Sequence, residues 1–346
     1  MKKIILATLA AAALVACAKE DVVVAPKGEA IGFANAFIDN SVRSIDPSIT
    51  NEGTNALQSF VVYGTTTAKA EDGGATVNIY PGVEVKKQAA TDSYIGTQGW
   101  IYMGEYVQYW IKDNKYNFVA VVNGTVGTDD VDIYGMPKAI NYTADGSKDL
   151  LYAEHETTGL ASNNPAVAFT FSHLLSKAKV TVKNTITTNS DKQAYTYKVT
   201  GVKITNPYLS ATYDVVNKAW DANKYTGKFE TVFGDVNTAV TTDALEDETG
   251  AIKGGATAES YNERLLIPAT YSALNIKATI ELYLNNTKVD VINYDKNVAN
   301  ITLAKGIAYN FVISLGNPGE PIEFTVTNVN GWNSAANGIP APGQQN

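Results

Sequence analysis

Cysteine, histidine and methionine are scarce in this 346-residue chain, which has one, two and three of them respectively. An internal disulfide and a Cys-x-x-Cys metal or redox motif are therefore excluded. The chain also has no His-Glu-x-x-His motif, no Gly-x-Ser-x-Gly nucleophile motif and no glycine-rich phosphate loop. We predict no enzymatic activity, no cofactor and no metal site, although two distant carboxylates could still meet in the fold.

Basic residues are outnumbered, and the net charge is -8. This balance argues against a nucleic-acid partner, because phosphates have to be neutralised by a basic patch. Long apolar runs are missing too. The apolar run at residues 4–16 follows Lys2 and Lys3 and falls short of the ~20 residues that a membrane-spanning helix needs. It therefore predicts a signal peptide.

The only cysteine, Cys17, comes directly after this run. The sequence LVAC at 14–17 resembles the lipobox of bacterial lipoproteins, which predicts cleavage before Cys17 and its acylation. Several acyl chains on one residue give a stable anchor in outer-membrane lipid. Lys19, Glu20 and Asp21 follow, and they resemble the export signal that sends lipoproteins of Gram-negative anaerobes to the outer face of the outer membrane.

The abundant residues are those of β-structure. Twenty tyrosines accompany many valines and threonines, and 27 glycines with 11 prolines supply turns. Residues 276–284 alternate most cleanly between apolar and polar. A strand is predicted near 30–38, and further short apolar or alternating runs occupy 57–63, 76–80, 99–102, 106–111, 116–122, 166–171, 178–182, 197–204, 211–216, 264–267, 301–303, 307–315 and 322–329. The pattern predicts an all-β chain of antiparallel sandwiches, and its length suits two of about 100 residues.

Several short motifs occur in a fixed order between residues 14 and 332. After the lipobox and Arg43 come YVQYW at 106–110, YNFVA at 116–120, DLLYA at 149–153, FTFSHLLSK at 169–177, LLIP at 265–268, KGIAY at 305–309, and FTV at 324–326 with Gly331-Trp332. Together they resemble the fimbrillin family, the type V pilins of gut and oral Gram-negative anaerobes. The resemblance implies two tandem transthyretin-like β-sandwich domains, lipoprotein export, maturation by a protease and assembly by strand exchange.

These expectations divide the chain into five parts. They are a lipoprotein signal peptide at 1–16, a lipid tether with a removable strand at 17–43, an N-terminal β-sandwich at 44–165, a C-terminal β-sandwich at 166–332 and a polar tail at 333–346.

Arg43 and Arg264 are the only arginines. Arg264 begins an apolar run and should be shielded by folding, whereas Arg43 lies in a polar stretch that a protease could reach. The resemblance also implies a cut after an arginine at about this distance from the lipid cysteine. We therefore predict cleavage between Arg43 and Ser44, which would release the strand that carries Ile31, Phe33 and Phe37.

A strand that could replace it in a neighbouring subunit is harder to find. Ile322, Phe324 and Val326 alternate correctly, yet a place in the core of the C-terminal domain would compete with donation. The tail after Trp332 offers only Ile339 as a large apolar residue.

The sequence thus predicts a structural subunit of a cell-surface fimbrium that contributes to adhesion. Its partners would be other pilin subunits, outer-membrane lipid, an Arg-specific protease, and glycans or proteins on host or bacterial surfaces. Two alternatives stay open: a tip or anchor subunit of the same pilus, and a non-polymerising surface lipoprotein that binds glycans through exposed aromatic residues. We expect Trp100 and Trp110 to pack in the core instead.

Overall fold

A computed structural model describes residues 28–38, 57–87, 95–97, 99–186, 195–235, 257–259, 263–285 and 287–329. Within these residues the protein is all-β, as predicted, and its helical segments are three 3-10 turns at Ala70–Asp72, Gly104–Tyr106 and Thr128–Asp130. The strands are β1 (Phe33–Ile38), β2 (Ser59–Thr67), β3 (Thr76–Lys87), β4 (Ile95–Thr97), β5 (Trp100–Tyr102), β6 (Lys115–Val122), β7 (Ala139–Thr143), β8 (Leu151–Thr158), β9 (Val167–His173), β10 (Ser176–Asn184), β11 (Tyr195–Asp214), β12 (Ala219–Trp220), β13 (Thr226–Gly234), β14 (Thr257–Glu259), β15 (Arg264–Leu266), β16 (Ala269–Tyr271), β17 (Leu274–Leu284), β18 (Thr287–Val298), β19 (Ile301–Leu303), β20 (Ala308–Leu315) and β21 (Glu323–Val329).

An eight-stranded sheet forms the N-terminal part, in the order β1-β9-β8-β6-β2-β3-β5-β4. One core cluster takes residues from β1, β2, β3, β5, β6, β8 and β9 of this single sheet. Phe33 on the terminal strand β1 lies 5.6 Å from Tyr102 on β5, between ring centroids. The sheet therefore curls until its two ends approach each other, and its aromatic side chains fill the inside.

Two larger sheets and the two-stranded sheet β16-β19 form the C-terminal part. A five-stranded sheet contains β14-β10-β20-β21, with β15 added to β10, and a six-stranded sheet contains β12-β11-β17-β18, with β13 and β7 added to β11. A second apolar cluster draws on both sheets, which makes this part a sandwich. In β17 the predicted alternation is confirmed, because Ile276 and Ile280 are fully buried while Lys277 and Glu281 are only half-buried.

Two strand pairs depart from the antiparallel expectation. β1 runs parallel to β9, and β10 runs parallel to β20. Parallel neighbours need long crossover connections, and both pairs join strands that are far apart in the sequence. The local alternation that predicts a strand carries no information about the direction of its partner.

The prediction of a strand at 106–111 is wrong. Gly104–Tyr106 forms a 3-10 turn, and Tyr109 makes a single antiparallel bridge with Ala30. The bend lets this aromatic stretch cover the segment before β1. The companion run at 116–122 is a strand, as predicted, and lies within β6.

A third apolar cluster joins side chains from both parts, among them Val121, Ile140, Leu175 and Tyr213. β7 lies inside the predicted N-terminal range 44–165, yet it pairs over five residues with β11. The division at residues 165 and 166 and the transthyretin-like topology stay predictions.

Candidate assembly site

The N-terminal segment, residues 28–38, places an aromatic ring at the centre of the first core. Phe33 is fully buried, and its ring centroid lies 5.5 Å from that of Tyr80 and 6.1 Å from that of Phe169, which it stacks against. Phe60, Tyr102 and Phe118 also lie within 6.3 Å. Ile31, two residues earlier, is 1% exposed. Each such side chain contributes about 1.5–3 kcal/mol by burial.

The backbone of this segment is held from two sides. Ile31 N donates to Gln108 O at 2.8 Å, and Trp110 N donates to Glu29 O at 2.9 Å. On the other side Val167 N donates to Gly32 O at 2.8 Å, where the parallel pairing with β9 begins. The segment thus occupies a slot between the 108–110 stretch and β9.

The buried phenol of Tyr102 hydrogen-bonds the N-terminal segment from the core side of the slot. Tyr102 Oη donates to Ile31 O at 2.6 Å, and Tyr80 Oη donates to Tyr102 Oη at 3.5 Å. Burial raises the pKa of both phenols, that of Tyr80 far above its ordinary value. Both therefore stay neutral, and Tyr102 can donate to the segment over the whole physiological pH range.

The entry to the slot is tight. A Cβ on Gly28 would lie 2.6 Å from Trp110 O, so this position needs glycine. Next to it, Glu29 Oε2 accepts from Asn164 N at 2.7 Å and from Asn164 Nδ2 at 3.4 Å. These contacts fix the point at which the chain enters the core.

Two of the three residues of the predicted removable strand, Ile31 and Phe33, are therefore buried in the same core. Phe37 lies in β1 opposite Thr170, after a register shift between Ala34 and Phe37. Its side chain lies outside the described residues, as do Cys17, Lys19, Glu20, Asp21, Arg43 and Ser44. The anchor, export and cleavage assignments stay predictions.

Arg264 begins a strand, as the sequence predicted, and its side chain is half-buried. It begins β15, which pairs with β10, and Arg264 Nε donates to Val232 O at 2.6 Å. Its Nη1 also donates to Glu263 O at 3.3 Å. A protease that needs extended, accessible chain would not find it here.

The candidate donor residues Ile322, Phe324 and Val326 are half-buried against the second core. Phe324 stacks on Phe311 with 6.3 Å between ring centroids, and β21 pairs with β20 over seven positions. β21 is also the terminal strand of its sheet. In this structure the candidate donor completes its own sandwich.

The described tryptophans give little support to a sugar-binding surface. Trp100 and Trp110 are about 5% exposed. Trp220 is half-buried and donates from Nε1 to Leu174 O at 2.9 Å. It borders a shallow cleft of about 550 Å³ together with Tyr208 and Tyr225.

The hydrogen-bond partner of His173 could not be read from the sequence. His173 Nδ1 and Asp149 Oδ2 form a fully buried pair that links β9 to the chain before β8. The sequence also did not identify the residues that hydrogen-bond the N-terminal segment, which are Tyr102, Gln108 and Asn164. No local pattern indicates a contact between residues so far apart in the sequence.

The described ranges contain no group of three or more His, Cys, Asp or Glu side chains arranged to hold a metal ion. A separate finding is that no helix in this part of the chain has the length and apolarity needed to cross a membrane.

Fold and site together define an all-β protein whose own N-terminal segment completes an aromatic core. The chain belongs to the fimbrillin-like family, whose profile matches residues 48–332. A comparison with curated proteins gave no significant match.

Several solved structures are similar to this chain. A fimbrial protein of Bacteroides vulgatus is 19% identical to this chain, and its structure matches with a TM-score of 0.61. The match covers 88% of this chain and 100% of the Bacteroides vulgatus chain. A protein assigned to cell adhesion from Bacteroides ovatus is 16% identical, with coverage of 88% and 96% and a TM-score of 0.48. A fimbrial assembly protein of Parabacteroides distasonis is 13% identical, with coverage of 78% and 88% and a TM-score of 0.39. The first of these shows that the fold is shared.

Proposed function

We propose that this chain is a structural subunit of a cell-surface fimbrium. It is exported as a lipoprotein anchored at Cys17, cut between Arg43 and Ser44, and joined to other pilin subunits by strand exchange. Membership of the fimbrillin-like family supports the fimbrial role and the cell-surface location. The lipobox, the Lys19–Asp21 signal and the position of Arg43 support the route.

The burial of Ile31 and Phe33 is the observation that carries the proposal. β1 ends at Ile38, so a cut after Arg43 would separate the N-terminal segment from the rest of the chain. Its departure would uncover the rings around Phe33 and leave Gln108 O, Trp110 N and Val167 N without their backbone partners. Refilling the two apolar positions would contribute about 3–6 kcal/mol by transfer alone.

A strand from a neighbouring subunit meets this requirement if it presents large apolar side chains at every second position. Ile322, Phe324 and Val326 have this spacing. They also pack on their own core, so donation would require β21 to leave β20. A subunit that keeps β21 in place would accept a strand without offering β21, as a terminal subunit would.

Glycan binding by a non-polymerising lipoprotein is the second candidate. The cleft beside Trp220, Tyr208 and Tyr225 is the observation that favours it, because sugars stack on exposed aromatic faces. Trp220 and the two tyrosines are only half-buried. The fimbrial role remains the better supported of the two.

Limited proteolysis tests the proposal. The chain from residue 17 is treated with an Arg-specific protease, and mass spectrometry should find one product that begins at Ser44. Arg43→Ala should abolish the cut and polymer growth, while Arg264→Lys, the matched control, should change neither. Normal polymers assembled from uncut Arg43→Ala protein would rule the mechanism out.

A further inference from the structure

β18 is the terminal strand of the six-stranded sheet and runs for twelve residues. Among the described strands only β17 pairs with it. None of its side chains is buried, and Val289 and Val291 are 49% and 46% exposed. Its outer edge therefore presents backbone donors and acceptors that a further strand could use.

The charges on its solvent face already have partners across the β17–β18 hairpin. Lys277 Nζ lies 2.9 Å from Asp295 Oδ2, and Lys288 Nζ lies 3.0 Å from Glu281 Oε1.

Two charged residues of β18, Asp290 and Lys296, lie on the opposite face of the strand. Asp290 lies opposite Leu282 and Lys296 lies opposite Ile276, so both share the face that packs on the second core. Within the described residues neither forms an ion pair, and Asp290 Oδ1 accepts only from Val291 N at 2.8 Å. The core face of this edge strand thus carries one charge of each sign, six positions apart.

Charges on an edge strand usually discourage pairing. Here they are arranged to allow one register and to oppose others. In an antiparallel pair of two β18 strands, opposite residues share a face, so the twofold axis has to pass through a residue position. Only an axis at Asn293 places Asp290 of one copy opposite Lys296 of the other. The symmetry makes two such ion pairs in each dimer. The same register sets Ile292 against Tyr294, the two half-buried apolar residues of the strand centre.

We propose that the partner of this edge is a second copy of the chain, paired antiparallel along residues 290–296 about a twofold axis at Asn293. The pairing joins two six-stranded sheets into one. It uses no residue of the N-terminal segment or of β21, so it provides a lateral contact between subunits independent of strand exchange.

Charge reversal tests the register. All proteins carry Cys17→Ser, which prevents dimers through the lone thiol, and start at residue 17. Sedimentation velocity over a concentration series should show a dimer. Asp290→Lys and Lys296→Asp should each weaken it about tenfold, because each creates two like-charged pairs, and the double variant should restore it. Lys198→Glu, on the solvent face of the same sheet, is the charge-matched control and should change nothing.

Cross-linking gives an independent reading that survives if a charge variant folds poorly. At the axis the two copies of residue 293 lie opposite each other, about 5 Å apart between Cβ atoms, so Asn293→Cys should form a disulfide dimer under mild oxidation. Asn297→Cys is the control, since it is exposed on the same face of the same strand but lies eight positions from its copy.

The inference is overturned if the chain stays monomeric at high micromolar concentration. It is also overturned if Asn297→Cys cross-links as readily as Asn293→Cys, or if a dimer forms that the charge reversals leave unchanged.

Discussion

At the scale of single residues, Phe33 links the stability of the first core to the chain that precedes it. Its ring contacts five other aromatic rings, which come from β2, β3, β5, β6 and β9. Phe33→Ala should lower the free energy of unfolding of the uncut chain by about 3–5 kcal/mol, because truncation leaves a cavity that close packing cannot fill. Phe33→Leu, which retains much of the volume, should cost less than half of this.

Urea unfolding of the chain from residue 17 measures both variants. A loss below about 1 kcal/mol for Phe33→Ala would show that the N-terminal segment is not an integral part of the core.

The sequence indicated which residues of the N-terminal segment fill this core, but it did not indicate the hydrogen bonds that hold the segment in place. Alternation identified Ile31 and Phe33 as one apolar face, and both are buried. The bonds from Tyr102 Oη to Ile31 and from Asn164 to Glu29 could not be predicted, because they join residues that the fold alone brings together.

At the scale of elements, β11 shows how turn signals can mislead. The sequence predicts two strands, at 197–204 and 211–216, because Asn206 and Pro207 interrupt the pattern between them. The structure has one strand from Tyr195 to Asp214. Gly201 and Asn206 both adopt positive φ, and the pairing shifts register beside each of them. β-Bulges absorb these residues without ending the strand.

The separability of β1 is a second question at this scale. The product that begins at Ser44 should bind a synthetic peptide of residues 28–38, because its slot then lacks its own strand. A peptide with Phe33→Ala should bind about a hundredfold more weakly, given the cavity cost at this site. Fluorescence anisotropy compares the two. Equal affinity of both peptides, or no binding of either, would contradict the proposed groove.

At the scale of the whole molecule, the third cluster joins the N-terminal and C-terminal parts. Tyr152 and Tyr213 lie 6.0 Å apart between ring centroids, and β7 adds to the sheet of β11. Composition and length suggested two sandwiches but gave no sign of a core between them. The residues of that core lie in ordinary strands or directly beside them, so only their tertiary partners reveal the connection.

Anchoring also belongs to this scale. Cys17→Ser should abolish acyl labelling and release the chain from the membrane fraction, because the chain would lose its acyl chains. Metabolic labelling with a fatty-acid analogue and fractionation measure the two effects. Ala18→Ser is the matched control and should leave both unchanged. Unaltered labelling and membrane association in Cys17→Ser would refute the lipoprotein assignment.

The proposed fimbrial role makes this chain a subunit of a surface filament. Its most direct test is electron microscopy of intact cells, with and without the protein, after immunogold labelling with an antibody against it. A filament subunit should give gold on filaments, along the shaft for a repeating subunit or at one end for a terminal one, and no gold on cells that lack the protein. Gold spread over the cell envelope, with filaments unlabelled or absent, would contradict the proposed role.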